Sequence, residues 1–215
     1  MKGLFNPDSP LMRFMSRVAD MMLLNALWLI FCIPVITIGA STAAKFHVTL
    51  KLAEGEEEGI LKTFWRGFRS NFGQATKVFL LLLIPLALVI ADGSLLIVGL
   101  FGNSVVNNVI LALPIVVFSM IWTYVFPLVA KFENPAGVTV KNALLLAIAN
   151  LPKTILMTAL NLLPIVWMVL EPVLFAKCAV IFLLGGFAWI SYGNSMLLRK
   201  IFAALIEQFS EKKPE

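Results

Sequence analysis

Residues 20–52 read DMMLLNALWLIFCIPVITIGASTAAKFHVTLKL, and how this stretch divides decides the fold. No acidic or basic residue occurs from Met21 to Ala44, a run of 24 residues. Roughly 20 apolar residues suffice to cross the hydrocarbon core of a bilayer. Pro34 interrupts the run, because a proline inside a helix removes a backbone hydrogen bond and clashes with the preceding turn. Thr37, Gly39 and Ser41 follow at alternate positions. The expected reading is a transmembrane helix over residues 10–33, a turn, and a shorter, more polar helix over 40–53 carrying Lys45, His47 and Lys51.

The rest of the chain has the same character. Of 215 residues, 60% are hydrophobic and 13% charged, with a mean hydropathy of +0.93. Soluble domains carry about 25% charged residues. Each polar stretch is too short to fold alone, so one integral membrane domain over 1–215 is expected. The N-terminal MKGLFNPDSPLMR lacks a separate apolar region with a small-residue cleavage site, so the first apolar segment should stay as an anchor. Cys32 and Cys178 fall in apolar segments and read as small buried hydrophobes. The net charge of +5 comes from basic residues that flank apolar segments and form no stripe. That pattern fits orientation in a lipid bilayer and speaks against nucleic acid.

Working outward, EGEEEG at 54–59 reads as an exposed acidic turn. ILKTFWRGFRSNF reads as an amphipathic interfacial helix over 60–73, with Phe64, Trp65, Phe68 and Phe72 as its aromatic side and Lys62, Arg66 and Arg69 as its cations. Spans follow over 75–99 and 105–130, joined by a turn rich in Gly99, Gly102, Asn103, Asn107 and Asn108. A helical preface over 142–150 leads into spans over 153–170 and 173–209, with Glu171-Pro172 as the tight turn between them. The fold class is therefore all-α: a polytopic transmembrane bundle of about five full spans, a short returning half-span after the first, and amphipathic interfacial helices.

Charge supports the return. If 20–52 crossed once, the N-terminal Lys2, Arg13 and Arg17 would face opposite the Lys62/Arg66/Arg69 cluster. If it goes in and comes back, every basic cluster and both termini share the cytoplasmic side of the membrane. The helix over 40–53 is about 21 Å long at ~1.5 Å per residue, short of a roughly 30 Å core. A half-span sheltered by the bundle is therefore expected, since irregular backbone at depth needs protein or water around it.

Catalytic constellations are missing. His47 is the only histidine, which excludes His-paired nucleophiles and two-His metal sites within one chain. There is no phosphate-binding lysine loop, CxxC or HExxH. The chain reads as a non-enzyme that requires no cofactor, metal ligands or catalytic residues. Candidate positions remain. The turn Pro34, Thr37, Gly39, Ser41 and Thr42 is the first. Asp92, Lys45 and His47 are intramembrane polar residues, with Asp92 either a functional acid or part of an interfacial bend, paired with Lys177 or hydrated, and Lys45 and His47 either lining a polar cavity or facing lipid at the interface. Phe64, Trp65, Phe68, Asn71, Phe72 and Gln74 form a face for either membrane anchoring or partner docking.

The runs SPLMRFMSRVADMMLLNALWLIFCIPVITIGASTAA, EGEEEGILKTFWRGFRSNFGQAT and YVFPLVAKFENPAGVTVKNALLLAIANLP resemble the YesL-like family of bacterial integral membrane proteins. Its most specific blocks are Pro34–Ala44 and Phe64…Phe68…Asn71-Phe72 with Gln74. The family is catalogued as a domain of unknown function and brings no catalytic residues. The resemblance implies a setting: members occur mainly in Gram-positive bacteria, often encoded beside carbohydrate ABC importers, two-component regulators and glycan-degrading enzymes. It implies an accessory role in oligosaccharide uptake or sensing, with importer subunits or a sensor kinase as partners. The alternative is a small transporter or channel whose polar pathway is lined by residues 34–42 and Asp92.

Overall fold

The computed structural model describes residues 9–56, 58–98 and 105–211, and all its regular elements are helical. The first helix, α1 (Pro10–Cys32), starts where Ser9 accepts from the Met12 amide and Pro10 occupies the first turn. Pro34 breaks it as expected, and a 3₁₀ turn (Val35–Thr37) leads into α2 (Ile38–Glu54). Gly55 ends α2 in the left-handed conformation (φ 88°), with its N–H and that of Glu56 closing on Leu52 and Lys51 carbonyls.

α2 is the centre of the bundle. Thirteen of its 17 residues are buried, and it packs against α1, α3, α4 and α8. Its small residues, Gly39-Ala-Ser-Thr-Ala-Ala44, let neighbouring backbones approach closely.

The chain continues as α3 (Ile60–Val98), α4 (Val105–Lys131), α5 (Ala136–Ala149), α6 (Leu151–Leu170) and α7 (Pro172–Ile181). A π-helical segment (Phe182–Gly186) joins α7 to α8 (Phe187–Glu211) without a break. Five stretches are long and apolar enough to cross a membrane: Pro10–Cys32, Ile60–Leu95, Asn108–Lys131, Leu151–Leu170 and Pro172–Gln208.

Two boundaries differ from expectation. The separate helices over 60–73 and 75–99 are one 39-residue helix, α3. A lone glycine costs a helix only about 1 kcal/mol, and burial of Asn71, Ala75 and Val78 on either side of Gly73 carries the helix through. Likewise α5 begins at Ala136, not near 142, because Pro135 immediately before its first turn suits a helix start. The turn expected around Gly99–Asn103 lies outside the described residues.

Candidate functional site

The polar residues of the turn are used in holding the turn itself. Thr37 Oγ1 donates to the carbonyl of Phe31 (2.6 Å) in the last turn of α1 and to that of Pro34 (2.7 Å), which also accepts the Thr37 amide (3.0 Å). Ser41 Oγ donates to the Trp28 carbonyl (3.0 Å), and Trp28 Nε1 donates to Thr42 Oγ1 (3.2 Å). Gly39 is the point where α2 meets α3 at backbone distance. Pro34 itself is exposed.

Lys45 is buried, with its ammonium 3.9 Å from the Trp28 ring centroid. None of the ion pairs among the described residues includes it. A cation over an indole face is favourable when desolvated, so Trp28 is its partner. His47 Nδ1 lies 3.3 Å from the Ala130 carbonyl, and its ring covers Gly67 of α3.

Asp92 stands apart from this turn. Gly39 abuts Ala75 and Phe79, and Asp92 lies 13 residues beyond Phe79, about 20 Å along the helix at ~1.5 Å per residue. The intervening α3 residues, Leu80 to Ala91, carry no polar side chain. No ion pair joins Asp92 to Lys177 among the described residues.

The aromatic face divides in two. Phe64 and Phe68 are buried, ringed against Phe31 of α1 at 5.6 and 4.9 Å, so they cannot meet a partner or lipid; this corrects the expected docking face. The physical reason is the return of the chain, which brings Phe31 onto α3. Asn71 is buried and donates to the Gly67 carbonyl; Gln74 donates to the Asn134 carbonyl at 2.6 Å, tying α3 to the short link before α5. Trp65 and Phe72 remain exposed. A shallow groove lined by Lys62, Trp65, Arg66, Arg69 and Ser70 is what α3 presents outward.

The acidic turn is more than a solvated face. Glu58 receives Lys51 (3.1 Å) and Arg66 (2.7 Å), Glu56 receives Lys51 (3.1 Å), and Glu54 receives Lys131 (2.7 Å). The Lys51 and Arg66 hydrogen bonds hold the Glu58 carboxyl below its ordinary range. Arg199 of α8 donates to the Ala53 carbonyl. The end of α2, the start of α3, the end of α4 and the second half of α8 therefore meet at one polar end of the bundle.

Sequence reasoning missed a set of interior polar residues. Asn25, fully buried, donates to the carbonyls of Phe182 (2.9 Å) and Leu183 (2.7 Å) and accepts from the Ala188 amide (3.1 Å). It thereby clamps the π-helical segment, whose shifted bonding frees backbone groups. Asn194 donates to Asn161 (2.8 Å), which donates to Thr123 (3.0 Å), linking α8, α6 and α4. Thr49 and Ser195 join α2 to α8 at 2.7 Å, and Tyr124 and Thr154 join α4 to α6 at 2.8 Å. The available signal was asparagine inside uncharged runs, since polar side chains within spans pair across helices. Among the described residues no three metal-ligand side chains come together.

A helical bundle with five membrane-length apolar helices, wrapped around a short buried helix, defines a multi-pass membrane protein. Residues 21–93 match the family described as "Protein of unknown function, DUF624". The chain is 30% identical over 155 residues to the "Uncharacterized protein YteU" of Bacillus subtilis (strain 168), covering 70% of this chain and 69% of the relative. It belongs to this family, the YesL-like DUF624 proteins. No solved structure matches it.

Proposed function

We propose that the protein is a non-enzymatic accessory component of a bacterial cytoplasmic membrane. It docks through the first half of α3 onto a subunit of a carbohydrate ABC importer or onto the sensor kinase that controls one. The observation that carries this reading is the outward groove of Lys62, Trp65, Arg66, Arg69 and Ser70. Three cations beside an exposed indole suit an acidic protein surface with an aromatic anchor. The family resemblance supplies the sugar-uptake setting. The basic residues gathered at the polar end support a cytoplasmic position for it, and for both termini.

The test is capture of the full chain in mild detergent from cells grown on oligosaccharide. Importer or kinase subunits are expected to co-purify, and Lys62→Glu with Arg69→Glu to release them. If none co-purifies, and deletion leaves growth on glycans unchanged, the reading fails. The channel alternative loses support from the apolar α3 segment that separates residues 34–42 from Asp92.

A further inference from the structure

The height at which α1 and α2 meet the other helices constrains how deep the broken segment goes. Gly39, at the start of α2, rests on Ala75 and Phe79 of α3. From Phe79, α3 runs 19 residues further to Val98, about 29 Å at ~1.5 Å per residue. That is nearly the whole of a roughly 30 Å hydrocarbon core. In the other direction the exposed side chains of α3 include the cations Lys77, Arg69, Arg66 and Lys62, beside Leu61, Trp65 and Phe72. Beyond Lys77 α3 carries no further cation, and its exposed face is unbroken apolar from Leu80 through Leu81, Ile84 and Leu88. The lipid boundary therefore falls close to Lys77, and the turn Pro34–Gly39 sits near that boundary, a full core thickness from the far end of α3.

Both ends of α1 lie away from the Glu171 end of the bundle. Its last turns carry Trp28, bonded to Ser41 and Thr42, and Phe31, packed on Phe64 and Phe68 in the cationic half of α3. Its middle holds the π-helical segment through Asn25, with Met22 beside Gly185. Nearer its start, Arg17 lies 5.8 Å from the Tyr192 ring. Tyr192 is further than Gly185 from the α6–α7 turn at Glu171, so α1 runs away from that turn as it is followed towards its N-terminus. A crossing helix would have done the opposite at one of its two ends.

We propose that α1 does not cross the bilayer but lies along one leaflet, bridging α8 and α3 over α2. Its outward stripe of Leu11, Phe14, Met15, Met22, Leu23 and Ile30 is exposed and apolar at helical spacing. Its occupant is the acyl-chain layer of that leaflet, with which the exposed face of α3 beyond Lys77 is continuous; Arg13 reaches to the headgroup phosphates. Four segments then cross, α3, α4, α6 and α7–α8, which still leaves both chain ends on one side.

The experiment uses the full chain in vesicles of phosphatidylethanolamine and phosphatidylglycerol. Cys32→Ser and Cys178→Ala remove the native thiols, and single cysteines at Phe14, Met22 or Ile30 carry nitroxides. Depth is read from oxygen against nickel-chelate relaxation. All three labels should lie within roughly 5–10 Å of the same boundary, as for an interfacial helix. A crossing helix would spread Phe14 and Ile30 by about 24 Å with Met22 near the centre, and that profile overturns the proposal. So does shielding of the labels from both reagents, which means a protein covers the stripe. In the same background, impermeant maleimide should label Glu171→Cys from one side and Glu56→Cys from the other. Labelling of Val35→Cys from the Glu171 side also overturns it.

Discussion

Gly39 of α2 lies directly against Ala75 of α3: a β-carbon at Gly39 would stand 2.6 Å from the Ala75 carbonyl oxygen and 2.7 Å from the Phe79 β-carbon. Neither neighbour can rotate away, so the two backbones themselves would have to part. Gly39→Ala is expected to cost about 1–3 kcal/mol, the usual penalty for overpacking. Gly73→Ala, where an added β-carbon meets nothing within 4 Å, should be neutral or slightly stabilising. Thermal unfolding of both variants in mild detergent checks the pair, and equal behaviour would remove the close approach as a source of stability.

Asn25 is expected to matter far more than its place in an apolar helix suggests. Asn25→Leu leaves the Phe182 and Leu183 carbonyls and the Ala188 amide without the partner they have now. A loss of about 1–3 kcal/mol follows for each group left unsatisfied. Hydrogen exchange at the Ala188 amide separates this from simple misfit, since it should quicken even where the bundle stays folded.

The asparagine pair in the interior gives a gentler prediction. A double-mutant cycle with Asn161→Ala and Asn194→Ala should return a coupling of about 0.6 kcal/mol, and at most about 1.7, as for other hydrogen bonds between membrane helices. Additive effects would mean the 2.8 Å contact contributes nothing.

The two halves of the α3 aromatic face should respond oppositely. Phe68 is 9% exposed and Trp65 is 53% exposed. Phe68→Ala should lose about 3–5 kcal/mol of stability. Trp65→Ala, which loses only ring contacts to Phe31 and Phe68 at 5.9 Å, should cost about 0.5–1.5 kcal/mol and register mainly in partner capture.

Acid should loosen the polar end selectively. The folded-state carboxyl of Glu58 lies below its ordinary 4.5, first through Lys51 and then through Arg66. A lowered carboxylate contributes stability that is complete above the unfolded value and lost as pH falls through the folded one. Exchange in segment 55–60, corrected for intrinsic rates, should therefore hold steady down to pH 4.5 and rise below it. Glu58→Gln should exchange fast throughout, and salt should mimic acid because the pairs are exposed.

Much of the architecture could be read from residues alone. Pro34 breaks the first helix through local backbone chemistry, and the charge pattern and segment length make the following helix short and sheltered. The unbroken α3 was not legible, because a polar run and Gly73 look like a boundary until the packing around Asn71 and Ala75 is known. Phe64 and Phe68 show the same limit: helical spacing puts them on one face, but only the fold brings Phe31 there. Asn25 was hidden differently, averaged away within an apolar run whose one polar side chain serves a segment 157 residues distant.

The burial of α2 also fixes an order in time. It precedes α8 by more than 130 residues, yet its partners Ser195 and Arg199 belong to that later helix. Until α8 arrives, the α2 face bearing Thr49 stays uncovered. A chain that stops before α8 has every earlier helix but leaves the α2 groups that Ser195 and Arg199 meet, Thr49 and the Ala53 carbonyl, without those partners.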